Sequence, residues 1–297
     1  MWGVDLTQEN RRFLEGFDPQ FFTYVCDTHV SQLEGEHRQR AALAIRLNYA
    51  HAVETLFALL GAAIQAPNCP LGWLLMYDNR RLASLVGKVS SGSPVLSRLI
   101  STPVSWSSLS YDIHAFTHSD PQEDRRIKTL FGASWELMAL ELVDQMAVAE
   151  YNSIKHGFRI RSGGSSVQIG TRSTDETPII DSRSEFGSRF FLRHQLSPKW
   201  VDFAAEPGMR NWAPLSLAVK TELAALSIGN VLAYLKTRLG SSAESVTFNW
   251  PLDSASLKLA WESEFVIESM RGGFVVRAEH IEPKLKETIL EAYAAGD

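Results

Sequence analysis

The chain has 297 residues, 45% of them apolar and 21% charged, with a formal net charge of −5. That length buries a full core in one large or two smaller domains, and the acidic balance argues against indiscriminate coating of nucleic acid. Two cysteines, Cys26 and Cys69, exclude a disulfide framework and a thiolate zinc cluster, and they point to a reducing compartment. The opening Met1-Trp2-Gly3-Val4-Asp5 lacks a basic stretch leading into an apolar one, so no signal peptide is expected. The most apolar run, Ala52 to Ala66, is too short for a membrane span and contains Glu54. The expectation is a cytoplasmic protein with no membrane contact.

In chain order, Asp18-Pro19 pairs a capping residue with proline at the first helical position and opens a helix to about Gln32. A second helix runs from about His37 to Ala66, because Leu43, Leu47, Ala50, Val53, Phe57, Leu60 and Ile64 recur at the helical period. Pro67 and Pro70 end it, and Pro70 starts a third helix to about Val89. Residues 95–120 read as short helices at most. The longest expected helix spans about Pro121 to His156, stopped by Gly157 as a left-handed cap. Residues 158–205 alternate and favour β structure, which predicts a small antiparallel hairpin insertion. Helix returns from about Pro214 to Leu239, capped by Gly240; a hairpin then turns at Arg271-Gly272-Gly273, and a short helix closes the chain at about Glu282 to Ala294. The fold class is α-rich α+β: a helical bundle (1–157 and 206–240), a β-hairpin insertion (158–205), and a C-terminal hairpin with a short helix (241–297).

On the longest helix, Glu141, Gln145, Asn152 and His156 continue the line begun by Phe131 and Met138, so the inward strip turns polar near its end. Buried polar side chains need partners, so this strip predicts an internal hydrogen-bond network or a cleft. Arg46 falls inside the apolar stripe of the second helix, in line with Val53 and Phe57, and Glu54 sits at its border. An inward guanidinium is costly unless it faces a carboxylate or a bound phosphate. Structural roles compete with these: His156 and Lys155 suit the negative end of a helix dipole, and Arg46 can snorkel.

The ending Asn152-Ser153-Ile154-Lys155-His156-Gly157 of a long helix resembles the HEPN superfamily of helical bundles, many of whose members are prokaryotic ribonucleases or toxin and defence proteins. Asn48-Tyr49-Ala50-His51-Ala52-Val53-Glu54-Thr55-Leu56-Phe57 is similar to an opening helix of such bundles. The resemblance spans residues 37–156 and 210–240. It implies a homodimer and a metal-independent endoribonuclease needing no cofactor, in which a histidine moves a proton while an arginine holds the phosphate. By this resemblance His156 matches the histidine and Asn152 a polar motif position, with Lys155 beside them and Arg46 and Glu54 as a facing pair. The family arginine has no match, since residues 149–151 are Ala149, Glu150 and Tyr151. Lys155, Arg159 or an arginine from elsewhere is left to supply the charge. A catalytically silent sensor or assembly module, binding a partner protein, an antitoxin or a nucleotide, is the alternative.

Residues 155–199 carry a local excess of +4 within the acidic chain. Arg159, Arg161, Arg189 and Arg193 lie there with Phe158, Phe190, Phe191 and Trp200, a composition that grips single-stranded RNA by phosphate pairing and stacking. Strand alternation also allows inward aromatics with merely solvated arginines. His114 and His118 have two-histidine metal spacing but lack the glutamate of the familiar motif, so an exposed loop end is expected and no metal site. Ser162-Gly163-Gly164-Ser165-Ser166 links two strands, which makes it a turn and not a phosphate cradle.

Overall fold

The computed structural model describes residues 5–99, 103–115, 120–156, 159–164, 166–169, 180–196, 203–242, 247–249, 261 and 274–276. The protein is helix-rich α+β with a small curled antiparallel sheet. It divides into two compact units: Met1–Val148 with Trp212–Glu264, and Ala149–Asn211 with Phe265–Asp297.

The first unit is helical. It contains α1 (Leu6–Glu15), α2 (Gln20–Val30), α3 (Arg38–Gln65), α4 (Pro70–Met76), α5 (Asn79–Ser90), α6 (Trp106–Ile113), α7 (Pro121–Val143) and α9 (Pro214–Arg238). Its centre is α3 packed along α9, with α2 against both. Leu56, Phe57 and Leu60 of α3 and Ile228, Val231 and Leu235 of α9 are fully buried there. Trp135 of α7 is sealed in the core and donates its indole N–H to the Ser227 hydroxyl of α9 at 3.0 Å. Both α3 and α9 are long and apolar enough, by length and composition, to cross a membrane; 72% and 61% of their most apolar windows are buried within the structure. The run 52–66 understates α3, because its apolar residues continue on several sides into the N-terminal half.

Three helix boundaries depart from the pattern read along the sequence, each because an aspartate caps. The helix expected from Leu71 to Val89 breaks at Tyr77, whose ψ is 151°, and Asp78 accepts the Arg81 N–H at 2.8 Å to start α5. The helix expected from Pro121 to His156 breaks at Asp144, with ψ 126°; its carboxylate accepts the Ala147 N–H at 2.7 Å and starts α8 (Gln145–Lys155). The unexpected α1 begins where Asp5 accepts the Thr7 and Gln8 N–H groups. Such caps are worth roughly 1 kcal/mol each. Gly240, at φ +88°, closes α9 as expected.

The boundary between the units falls within α8. The second unit contains β1 (Arg161–Ser162), β2 (Ser166–Ile169), β3 (Ile180–Arg183), β4 (Gly187–Gln195), β5 (Phe203–Asn211) and β6 (Phe274–Val276). A four-stranded sheet has the order β1-β4-β5-β6, all antiparallel, and β2 and β3 form a separate hairpin. Antiparallel pairing agrees with the β character read in 158–205, and β5 carries it on to Asn211. Phe274–Val276 joins the sheet through β5; the expected turn at 271–273 and the closing helix at 282–294 lie outside the described residues.

Candidate nucleic-acid interface

Directly opposed residues in an antiparallel pair point to the same side of the sheet. Arg161 lies opposite Arg189, Phe191 opposite Pro207, Arg193 opposite Ala205, and Ala205 opposite Phe274. Arg161, Arg189, Phe191, Arg193 and Phe274 therefore share one face. All three arginines are exposed, and Phe191 and Phe274 keep 54% and 52% of their surface in solvent. The Arg193 guanidinium sits 4.9 Å above the Phe203 ring, and Phe191 meets Phe274 edge to face at 5.3 Å. The opposite face holds Ser188, Phe190 and Arg210, all buried. Of the aromatics read from the sequence, Phe190 thus turns inward and Phe191 outward; Phe158 and Trp200 lie outside the described residues.

The C-terminal part of α8 borders this face. A cavity of about 570 Å³ is lined by Asn152, Ser153, Arg159, Arg193, Phe203 and Phe274, among others. A second, of about 820 Å³, is lined by Arg159, Arg161, Arg189, Phe191 and Met209, among others. Arg159 belongs to both. Its backbone N–H donates to the Ser153 carbonyl at 2.8 Å, and its guanidinium reaches the Asn152 carbonyl at 3.5 Å. The predicted Asn152, Arg159, Arg161, Arg189 and Arg193 are thus brought together.

His156 and Lys155 are exposed at the end of α8 and line neither cavity. The Lys155 ammonium lies 5.3 Å from the centre of the Tyr151 ring. Glu150, at the motif position where an arginine was sought, is fully buried and accepts the Ser188 hydroxyl, with the Arg210 guanidinium 3.8 Å away.

Arg46 and Glu54 belong to the first unit. Arg46 is buried and does not snorkel to solvent, and its charge acts on Glu141. Glu54 is half-buried and acts on Tyr77. Glu141 organises a compact polar cluster. It accepts the Tyr49 hydroxyl at 2.6 Å, the Lys220 ammonium at 2.9 Å and the Trp261 indole N–H at 2.9 Å. Burial alone would raise the Glu141 pKa; Lys220, the Tyr49 hydroxyl and Arg46 outweigh it and hold the carboxyl below its ordinary value. Lys220 is wholly buried, its ammonium 4.9 Å from the Trp261 ring centre and 5.7 Å from that of Tyr49. Gln145, placed in line with Glu141 by an unbroken helix, is exposed, because the break at Asp144 resets the helical phase.

His114 follows the last residue of α6, at the helix end, but it is not exposed. It is fully buried, stacked on Phe131 at 4.5 Å, and burial lowers its pKa to about 4. In the neutral ring, Nδ1–H donates to the Ser110 carbonyl at 2.8 Å and Nε2 accepts the Asn230 amide at 3.0 Å. The ring has no position left for a metal, and His118 lies outside the described residues. Among the described residues no group of three or more His, Cys, Asp or Glu is arranged to hold a metal ion.

No family model, curated protein or solved structure matches the chain. Sequence reasoning missed Phe203 and Phe274 as parts of the sheet face, because strand partners must be known before faces are. It also missed Lys220, although a lysine in line with Leu217, Ala224 and Ile228 signalled an inward charge.

Proposed function

We propose that the chain is a HEPN-like RNA-binding protein of bacterial defence or toxin type, gripping single-stranded RNA on the arginine and phenylalanine face of the sheet. The observation carrying this reading is the cross-strand pair Arg161 and Arg189, with Phe191 and Arg193 next on the same exposed face. Like charges directly opposed across two strands destabilise a sheet. A phosphate between them turns that cost into affinity, while exposed rings offer stacking to bases. The finer part of the proposal is metal-independent cleavage. His156, solvent-exposed beside Lys155 and three residues before Arg159, moves the proton while the guanidinium holds the phosphate. A cytoplasmic homodimer completes the picture.

A second reading, a catalytically silent sensor that binds a partner protein or antitoxin, is favoured by Glu150. A buried glutamate occupies the position where the active HEPN proteins that the helix ending resembles carry an arginine.

Fluorescence anisotropy with a labelled single strand tests the binding. Arg189→Glu with Arg193→Glu is expected to weaken it by at least about a hundredfold, since each contact to a charged group is worth about 1.5–3 kcal/mol. Unchanged affinity would end the RNA proposal. Cleavage of labelled tRNA by wild type and not by His156→Ala supports the nuclease part, and equal absence in both leaves the silent reading.

A further inference from the structure

A separate cavity of about 450 Å³ lies in the first unit, between α4, α5 and the segment that follows α5. Its volume is within the range of small-molecule sites. The inner wall is fixed. The Trp73 indole donates to Gln65 at 2.8 Å, the Tyr77 ring stacks on it at 5.2 Å with a 19° tilt, and Gly61 makes room for the indole. A Cβ at position 61 would stand 2.4 Å from the Trp73 ring.

The rest of the lining combines two chemistries. Arg80, Arg81 and Lys88 supply three cations, and no acid is among the lining residues. The exposed Arg81 guanidinium donates to the Met76 carbonyl at 3.1 Å and lies 3.6 Å from Asp78, whereas Arg80 and Lys88 make no ion pair among the described residues. Two of these cations stand in the first turn of α5, where the helix dipole favours negative charge, and the Asp78 cap is the one carboxylate that meets them among the described residues, so a bound anion would add compensation there. Between and beyond the cations the walls are aliphatic. Leu85 is buried, while Met76 and Leu96 keep 60% and 79% of their surface exposed at the mouth.

We propose that this cavity holds a single-chain anionic amphiphile, an aliphatic tail bearing a phosphate or carboxylate head. The head pairs with Arg80, Arg81 and Lys88, and the tail covers Met76, Leu85 and Leu96 against the Trp73–Tyr77 stack. Binding at this cavity requires neither the sheet face nor RNA.

Isothermal titration calorimetry of the full chain with decyl phosphate, kept below its micelle-forming concentration, tests it. Inorganic phosphate and decanol, the head and the tail alone, are each expected to bind at least about tenfold more weakly. Lengthening octyl to decyl phosphate should tighten binding about tenfold, as two methylenes leave water. Arg80→Ala with Lys88→Ala should weaken decyl phosphate about tenfold or more. Leu96→Asp, a second exposed change that leaves the core intact, should abolish the gain from the longer tail. Affinity unmoved by either variant overturns the proposal. So does binding to phosphatidylcholine vesicles containing phosphatidic acid without binding to monomeric decyl phosphate, because the surface would then read a membrane and not a free amphiphile.

Discussion

One cluster of cations in each unit shows two opposite uses of charge. In the helical unit Arg46 and Lys220 are buried around one carboxylate, and the imidazole of His114 is sealed between an amide and a carbonyl. In the sheet unit Arg161, Arg189 and Arg193 stand in solvent, two of them directly opposed. A charge enclosed by its own fold is spent on stability, and one held outward against a like neighbour is available to a ligand. The difference separates residues that hold the protein together from those that meet something else.

Lys220 gives the sharpest way to break that contrast. Lys220→Met keeps the stem volume but leaves the partly buried Glu141 facing less positive charge, and breaking a buried pair costs about 3–5 kcal/mol. Urea denaturation of the variant should show a loss of that order. Adding Glu141→Gln should recover much of it, since replacing both partners removes the unpaired charge. A loss below about 1 kcal/mol, within the range of exposed pairs, would mean that the cluster is not a stabilising core element.

The next effect is set by pH. His114 ionises at about 4 in the folded protein against 6.5 ordinarily, because burial disfavours its cation. Above 6.5 the ring is neutral in both states and its contribution is complete. As pH falls from 6.5 towards 4, the unfolded chain takes the proton and the folded one does not, so stability declines, by about 3 kcal/mol in all. Below 4 the loss stops growing. His114→Gln keeps a donor and an acceptor without titrating, and should lose correspondingly less than wild type between pH 7 and 4.5. An imidazole titration followed by NMR gives the independent check: a His114 midpoint near 6.5 in the folded protein would refute the assignment.

Much of the helical unit was readable from periodicity, since α3 and α9 fall within two residues of their expected limits. Arg46 was half readable: its place in the apolar stripe left either an inward charge with a counter-charge or a snorkelling stem, and its burial decides for the first. The breaks at Tyr77 and Asp144 were hidden because apolar periodicity runs on across them. Only the aspartates marked them, and an aspartate caps a helix or decorates its surface with the same letter. His114 could not be placed from its neighbours in the chain. What buries it is Phe131 and Asn230, 17 and 116 residues away in sequence. The arginines of the second unit were readable as a composition but not as a face, because a face needs the register of β1, β4, β5 and β6.

The smallest effect on stability should come from those arginines, and it sharpens the contrast most. Arg189→Ala with Arg193→Ala removes two exposed side chains, and exposed substitutions away from caps and cores shift stability by less than about 0.5 kcal/mol. Here the change is expected to be neutral or slightly favourable, since it relieves the like-charge opposition with Arg161. The same pair should show itself in salt dependence. Every phosphate of a single strand that a cation neutralises contributes about 0.7 to the slope of log affinity against log salt, so removing two cations should flatten it by about 1.4. A fold destabilised by more than about 1 kcal/mol, with the slope unmoved, would place these guanidiniums among the structural charges instead. The two units would then differ in architecture but not in what their cations are for.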